Sequence, residues 1–349
     1  MRLVSFDYFR GIAIIFIVAG HSLGPWLIDS FSEKVLVNLI SGGTILFVFI
    51  SGYFFHYIFY NKFNFKKFLV KKYQNVLLPY TILTISGIGY YSLSSAKFPW
   101  ADTLELHNVE SVTEYIRIIA IYLWTGCIAS TYWYIPFISI IFIMSPVFLR
   151  YIRLPTIYRI SIFLILLIAS VFIHRPTGNL FPLHSALYFM PIYMLGIMSS
   201  IHREQVSIFI EGKSLAIGCV VLILAILQVF FLNGSGNFHK DEIFSYNGMD
   251  IIIIQKIVMC FFLLSLLQKH ESRHIPGLKI LAASSFAIYF IHPWVFILFQ
   301  ETGVFSFFKF LPDFGMFLLT VPLVLASSLL IAYLVKLALK NNSRYIIGW

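Results

Sequence analysis

The sequence is poor in charge. Only 11% of its 349 residues are Asp, Glu, Lys or Arg, against 59% hydrophobic, and the mean hydropathy is +0.87. A water-soluble globular domain of this size, with about a quarter of its residues charged, is thereby excluded. Cysteine is scarce as well. Cys127, Cys219 and Cys260 stand far apart with no C-x-x-C or ligand-like spacing, so they read as apolar filler and no metal site is expected. No Ala-x-Ala cleavage site follows the first apolar segment, and Asp7 interrupts its short basic flank. The segment is expected to stay as a helix rather than leave as a signal peptide. Ten-residue alternating segments, the mark of a membrane β-barrel, are also missing.

What is present is a series of apolar runs, each about long enough to carry a helix across roughly 30 Å of hydrocarbon. In lipid the backbone must satisfy its own hydrogen bonds, so the runs read as helices. Ten are expected, over 8–28, 35–60, 77–93, 130–149, 159–173, 184–201, 213–232, 249–268, 278–300 and 314–337. Loop charges test that count. With both termini in the cytosol, Lys34, Lys97, Arg117, Arg175, Lys240 and Lys309 fall outside and Lys256 lies within a span, leaving eighteen of the 25 Lys and Arg inside. The net charge of +10 is then a topology signal and an attraction to anionic lipid, with no nucleic acid implied. The expectation is an all-α polytopic membrane protein, one integral-membrane domain over 1–349, in which "VTEYIRIIAIYLWTG" forms an interfacial or re-entrant helix between the third and fourth spans. No internal repeat is visible.

Ionisable residues within spans cost on the order of 3 kcal/mol each and mark candidate sites. Arg10 and His21 are eleven residues apart, about 1,100° of helix, so both project from one face with roughly 16 Å of rise between them. Asp7 sits one turn earlier on nearly the same face and can pair with Arg10. Two structural roles fit equally: Arg10 as a snorkelling anchor, and His21 as a bundle histidine donating to a carbonyl.

The opening "FDYFRGIAIIFIVAGHS" resembles the first helix of the acyltransferase-3 family of bacterial membrane O-acyltransferases, whose hallmark is Arg or Lys, ten residues, then His. Asp7, Arg10, Gly11 and His21 match it. "TILFVFISGYFF", "YWYIPFISIIFIMSPVF", "YFMPIYMLGIMSS" and "SSFAIYFIHPWVF" are similar to later family segments in the same order. The resemblance implies a ten-helix enzyme of the bacterial cytoplasmic membrane, with no tightly bound cofactor, that takes an acyl group, usually acetyl, from cytosolic acyl-CoA. The group passes to a hydroxyl of an extracytoplasmic or lipid-linked carbohydrate. Two departures stand out. Where members often carry Arg-x-x-Arg before a proline, "KKYQNVLLPY" has Lys72 and Asn75, and lysine lacks the bidentate phosphate grip of arginine. The C-terminal hydrolase-like domain of some members has no counterpart before Trp349.

Acyl transfer needs a base or a nucleophile and a stabilised oxyanion. With no Gly-x-Ser-x-Gly elbow and no well-placed cysteine, His21 is the candidate catalyst, as base or as nucleophile. Arg10 is the candidate donor-phosphate ligand and catalytic partner, with Lys72, Arg150 and Arg153 as further donor contacts. Arg150 and Arg153 equally suit a loop facing lipid headgroups. His292, before Pro293, is a pocket residue or a partner of the carbonyl that proline frees. Trp133 stacks on a ligand or belongs to an interfacial belt. Ser51 and Gly52 read chiefly as packing. Asp29, Glu33, Glu105, His107, Glu110, His174 and His184 are acceptor candidates or ordinary loop residues. A secondary transporter or flippase using Arg10, His21 and Lys256 is the competing function, and a sensor on the same fold a third.

Overall fold

The computed structural model describes residues 3–94, 96–106, 111–232 and 234–349. Arg2, His107 and Glu110 lie outside the described residues. In chain order the helices are α1 (Val4–His21), α2 (Phe31–Ile40), α3 (Thr44–Phe54), α4 (Phe65–Lys72), α5 (Leu78–Leu93), α6 (Val112–Thr125), α7 (Tyr134–Ile143), α8 (Ser145–Arg153), α9 (Thr156–Ile173), α10 (Pro182–Ile201), α11 (Arg203–Ile210), α12 (Ser214–Leu232), α13 (Ile251–Gln268), α14 (Pro276–Glu301), α15 (Asp313–Leu339) and α16 (Ser343–Ile346). Two-residue strands β1 (Arg175–Pro176) and β2 (His239–Lys240) pair in parallel, Arg175 opposite His239.

The chain is an all-α polytopic membrane protein. Among the described residues, eight helices are long and apolar enough to cross a membrane, or nine if α7 and α8, bent by 55° at Met144, make one broken span. Each of the ten expected runs has a helical counterpart; the one not among those nine is α10. Several expected boundaries move: the first run, expected over 8–28, is helical over Val4–His21, and the fourth, expected over 130–149, over Tyr134–Arg153 with its bend at Met144. The third run begins earlier, at Phe65, because a π-helical turn over Tyr73–Leu77 carries α4 directly into α5. The second run breaks at Ser41–Gly43, where Gly42 takes φ +82°, a conformation glycine adopts without strain. The segment 112–125 is helical, opened by a capping box of Ser111 with Glu114.

The break between α2 and α3 is held by other helices. The last carbonyls of a helix have no partner within it, and Lys256 of α13, 0% exposed, donates its Nζ to those of Asn38 (3.0 Å) and Leu39 (2.6 Å). The Asn38 side chain accepts from Gln228 Nε2 at 3.0 Å and from the Gly236 N–H at 2.9 Å, and donates to the Ala225 carbonyl at 3.2 Å. From that junction α3 runs against α10. Gly52 and Gly196 allow the approach, since a Cβ on either would strike the backbone of the other helix, at Tyr193 and Phe49.

The first helix is fastened at its start. The Glu271 carboxylate accepts from the N–H groups of Val4 (2.7 Å) and Ser5 (2.8 Å), two donors that no earlier turn can satisfy. The Tyr8 hydroxyl donates to the Arg273 carbonyl at 2.5 Å and accepts from the Ile275 N–H at 2.9 Å. These bonds tie α1 to the turn that opens α14, and Gly11 brings the two helices into contact: a Cβ there would lie 2.7 Å from the Leu278 carbonyl oxygen.

Candidate active site

With α1 set along α14, the face bearing Arg10 and His21 borders a cavity of about 300 Å³. Arg10, Ile17 and His21 line it in sequence along α1. Around them stand Ser51 of α3, Lys72 and Asn75 at the π turn, Trp133 and Tyr134 at the start of α7, Tyr193 of α10, Ser285 and Tyr289 of α14, and Arg344 of α16. Apolar side chains such as Phe47, Ile138 and Phe286 fill much of the wall between the polar groups. A helical rise of roughly 16 Å from Arg10 to His21 makes this a long, narrow space rather than a bowl.

At one end Arg10 Nη2 donates to Ser285 Oγ at 3.2 Å. Lys72 holds its ammonium among three rings, 4.3 Å from the centre of Phe142, 5.3 Å from Phe68 and 5.5 Å from Phe59. Such contacts favour a cation without supplying an anion. At the other end is His21; the ring of His292, which lies behind it and does not line the cavity, is 5.7 Å from that of His21. His292 is 2% exposed, and its Nδ1 is 2.9 Å from the Ile288 carbonyl. A carbonyl only accepts, so the proton sits on Nδ1 and Nε2 keeps a lone pair. That Nε2 is buried with no partner among the described residues. The carbonyl that Pro293 frees is that of Tyr289, and the Thr131 hydroxyl reaches it at 3.5 Å.

Trp133 stacks on Phe137 and Phe189, and the guanidinium of Arg175, 3% exposed, lies 5.9 Å from its ring and 5.0 Å from that of Phe189. Arg175 therefore braces the wall that Trp133 presents to the cavity, a role its place in a loop gave no sign of. Arg344, which lines the cavity itself, is another residue that sequence reasoning missed. It entered only as a loop charge, because nothing local announces that a chain end folds back.

Other candidates are placed elsewhere. Arg150 and Arg153 are exposed on α8 and do not line the cavity, nor does Asp7, half-buried one turn before Arg10. Asp29 and Glu105 are exposed. Glu33 completes a capping box with Ser30 at the start of α2 and accepts from Trp26 Nε1 at 3.1 Å. His174 and His184 are buried and bond to the carbonyls of Gly248 (3.1 Å) and Ile173 (3.3 Å). Lys256 is committed to the α2 carbonyls.

Fold and site together define a polytopic helical membrane protein with an internal cavity that is cationic at one end and imidazole-bearing at the other. Its sequence identifies it further. The family model described as an acyltransferase domain matches residues 3–337, nearly the whole chain, so the protein belongs to the acyltransferase-3 family and is a membrane acyltransferase. No curated protein and no solved structure matches it.

Proposed function

We propose that the protein moves an acyl group, acetyl being the expected one, from cytosolic acyl-CoA to a hydroxyl of an extracytoplasmic or lipid-linked glycan, in a bacterial cytoplasmic membrane. The observation that carries this reading is the one cavity joining Arg10 to His21 along a single face of α1. Ten spans, formed by the eight long apolar helices, the bent α7–α8 pair and α10, put both termini in the cytosol. The Arg10 end then opens toward the donor, in keeping with the excess of Lys and Arg on that side.

On this reading donor phosphates meet Arg10 and Lys72, and the pantetheine arm lies along the apolar wall past Ile17 and Phe47. The acceptor hydroxyl binds beside His21. As its oxygen attacks the thioester carbonyl, the imidazole takes its proton; the tetrahedral adduct then collapses, the C–S bond breaks, and the imidazolium returns the proton to the departing thiolate. In the covalent variant the imidazole nitrogen attacks the thioester carbonyl, the C–S bond breaks and the ring's proton goes to the departing thiolate; the acceptor hydroxyl then attacks the acyl-imidazole, the C–N bond breaks and its proton returns to the ring.

The test uses inverted membrane vesicles with labelled acetyl-CoA, wild type beside His21→Ala and Arg10→Ala at equal insertion, following CoA release and label. Loss of transfer in His21→Ala is the expected result. Label held on wild-type protein without acceptor identifies the covalent route. No CoA release from wild type with acetyl and longer donors and native glycan present would return the transporter reading.

A further inference from the structure

His21 borders the cavity without a carboxylate to orient it, since no Asp or Glu lines that space among the described residues. A neutral imidazole carries one proton between two nitrogens, and the hydrogen bond made by one nitrogen decides which is left bare. Either route of transfer needs the bare nitrogen on the cavity side. The ring N–H must then find its acceptor behind the ring.

The packing of α1 on α14 supplies a second imidazole there. A Cβ on Gly11 would lie 3.5 Å from the Ala282 nitrogen, and ten residues further along each helix, a rise of about 15 Å, stand His21 and His292, their ring centres 5.7 Å apart. The two helices run side by side in the same direction and keep their register. His292 is buried outside the cavity lining. Its Nδ1 proton goes to the Ile288 carbonyl at 2.9 Å, so Nε2 can only accept, and that atom is buried with no partner among the described residues. A buried acceptor left bare is costly, and a neighbouring N–H removes the cost. The turn of α14 that carries His292 is itself pinned. The Tyr132 hydroxyl donates to the Phe290 carbonyl at 2.8 Å and accepts from Trp294 Nε1 at 2.8 Å, and the Tyr289 hydroxyl donates to the Thr131 carbonyl at 2.5 Å. Rigid support of this kind is what holds a reacting group in one geometry.

We infer that His292 is a positioning residue for His21: its Nε2 accepts the His21 ring N–H, directly or through one water, and so keeps the other His21 nitrogen bare toward the cavity. Its part in acyl transfer rests on the function proposed above. When His21 takes the acceptor proton on the bare nitrogen, the ring carries two protons; the one held by His292 stays, and the other passes to the departing thiolate.

The experiment compares wild type, His292→Asn and His292→Gln, each full-length in lipid bilayers at equal insertion, by nitrogen NMR of histidine-labelled protein and by acetyl-transfer kinetics. Asparagine places an amide nitrogen where Nδ1 was, so it keeps the Ile288 bond and removes the acceptor. Glutamine places an amide oxygen where Nε2 was, so it keeps the acceptor and gives up the Ile288 bond. At mildly alkaline pH, where imidazole is neutral, His21 is identified by the signal lost in His21→Gln. It is expected to hold one tautomer in wild type and in His292→Gln, and to divide between two in His292→Asn. In parallel, His292→Asn is expected to lower kcat about tenfold, the worth of one hydrogen bond, with donor KM within about twofold, while His292→Gln keeps most of the rate. The reverse order of rates, with His21 in one tautomer throughout, would make His292 a brace of α14 and overturn the inference. A wild-type His21 already divided between tautomers overturns it too, and CoA release from that wild type leaves the transfer reading standing. The spectra need no substrate, so the expected tautomers in a wild type that releases no CoA would remove the transfer reading and keep the contact between the two imidazoles.

Discussion

Two lysines of the helical framework have opposite surroundings. Lys256 is wholly buried and spends its ammonium on two carbonyls at the end of α2, beside an asparagine and a glutamine that bond to each other and to nearby backbone. Lys72 reaches an open cavity among three aromatic rings, near Arg344 and at the far end from His21. Lys256 sits inside the apolar α13, whereas Lys72 ends the lysine-rich α4 and is partly buried, so the two are separated by what surrounds each ammonium. At the junction Lys256 and Asn38 are bonded to backbone and Asn38 also to Gln228, whose Oε1 alone of that group has no partner among the described residues; at the cavity the Lys72 ammonium has aromatic rings around it in place of carbonyls.

That contrast is open to experiment. The largest effect is expected at the cavity: His21→Ala should lower acyl transfer by about 10²- to 10⁴-fold, the range for a lost proton-transfer group, with an unchanged melting curve in detergent. At the junction the balance should invert. Lys256→Met leaves two carbonyls bare, each costing on the order of 1–3 kcal/mol, so the melting temperature should drop sharply while transfer per folded molecule stays within a few-fold. An inactive Lys256→Met protein with a wild-type melt would erase the distinction and revive a transport or proton role for this lysine. Gly52→Ala tests the scaffold between the two regions; its methyl meets the Tyr193 backbone, and a loss of about 1–3 kcal/mol is expected from overpacking, read by thermal or denaturant unfolding. The smallest effect belongs to Arg150→Gln and Arg153→Gln on exposed α8, where donor KM should change by less than about twofold, as for surface charges in general. A larger rise would extend the donor site beyond the cavity.

Much of the framework was readable from one dimension. Apolar runs announced the helices because hydrocarbon thickness sets a length and leaves the backbone few alternatives. The eleven-residue interval from Arg10 to His21 placed both on one face because helical periodicity is local. The break at Ser41–Gly43 was hidden within an unbroken apolar run, since what stabilises it is a lysine on another helix. Arg150 and Arg153 read as donor candidates while Arg344 counted only as a loop charge, for charge and loop position carry no information about which segment turns inward.

The sequence by itself determined the class of protein, its helical polytopic character and the alignment of Arg10 with His21, all consequences of hydropathy and a fixed helical pitch. Only the tertiary structure decided which polar groups share a cavity. Lys72, Ser51, Trp133 and Arg344 meet there because glycines at 11, 52 and 196 let particular helices touch, because Glu271 and Tyr8 fasten α1 to the start of α14, and because the segment after α15 folds back. Those are contacts between residues far apart in the chain, and they depend on shape complementarity that no local pattern encodes.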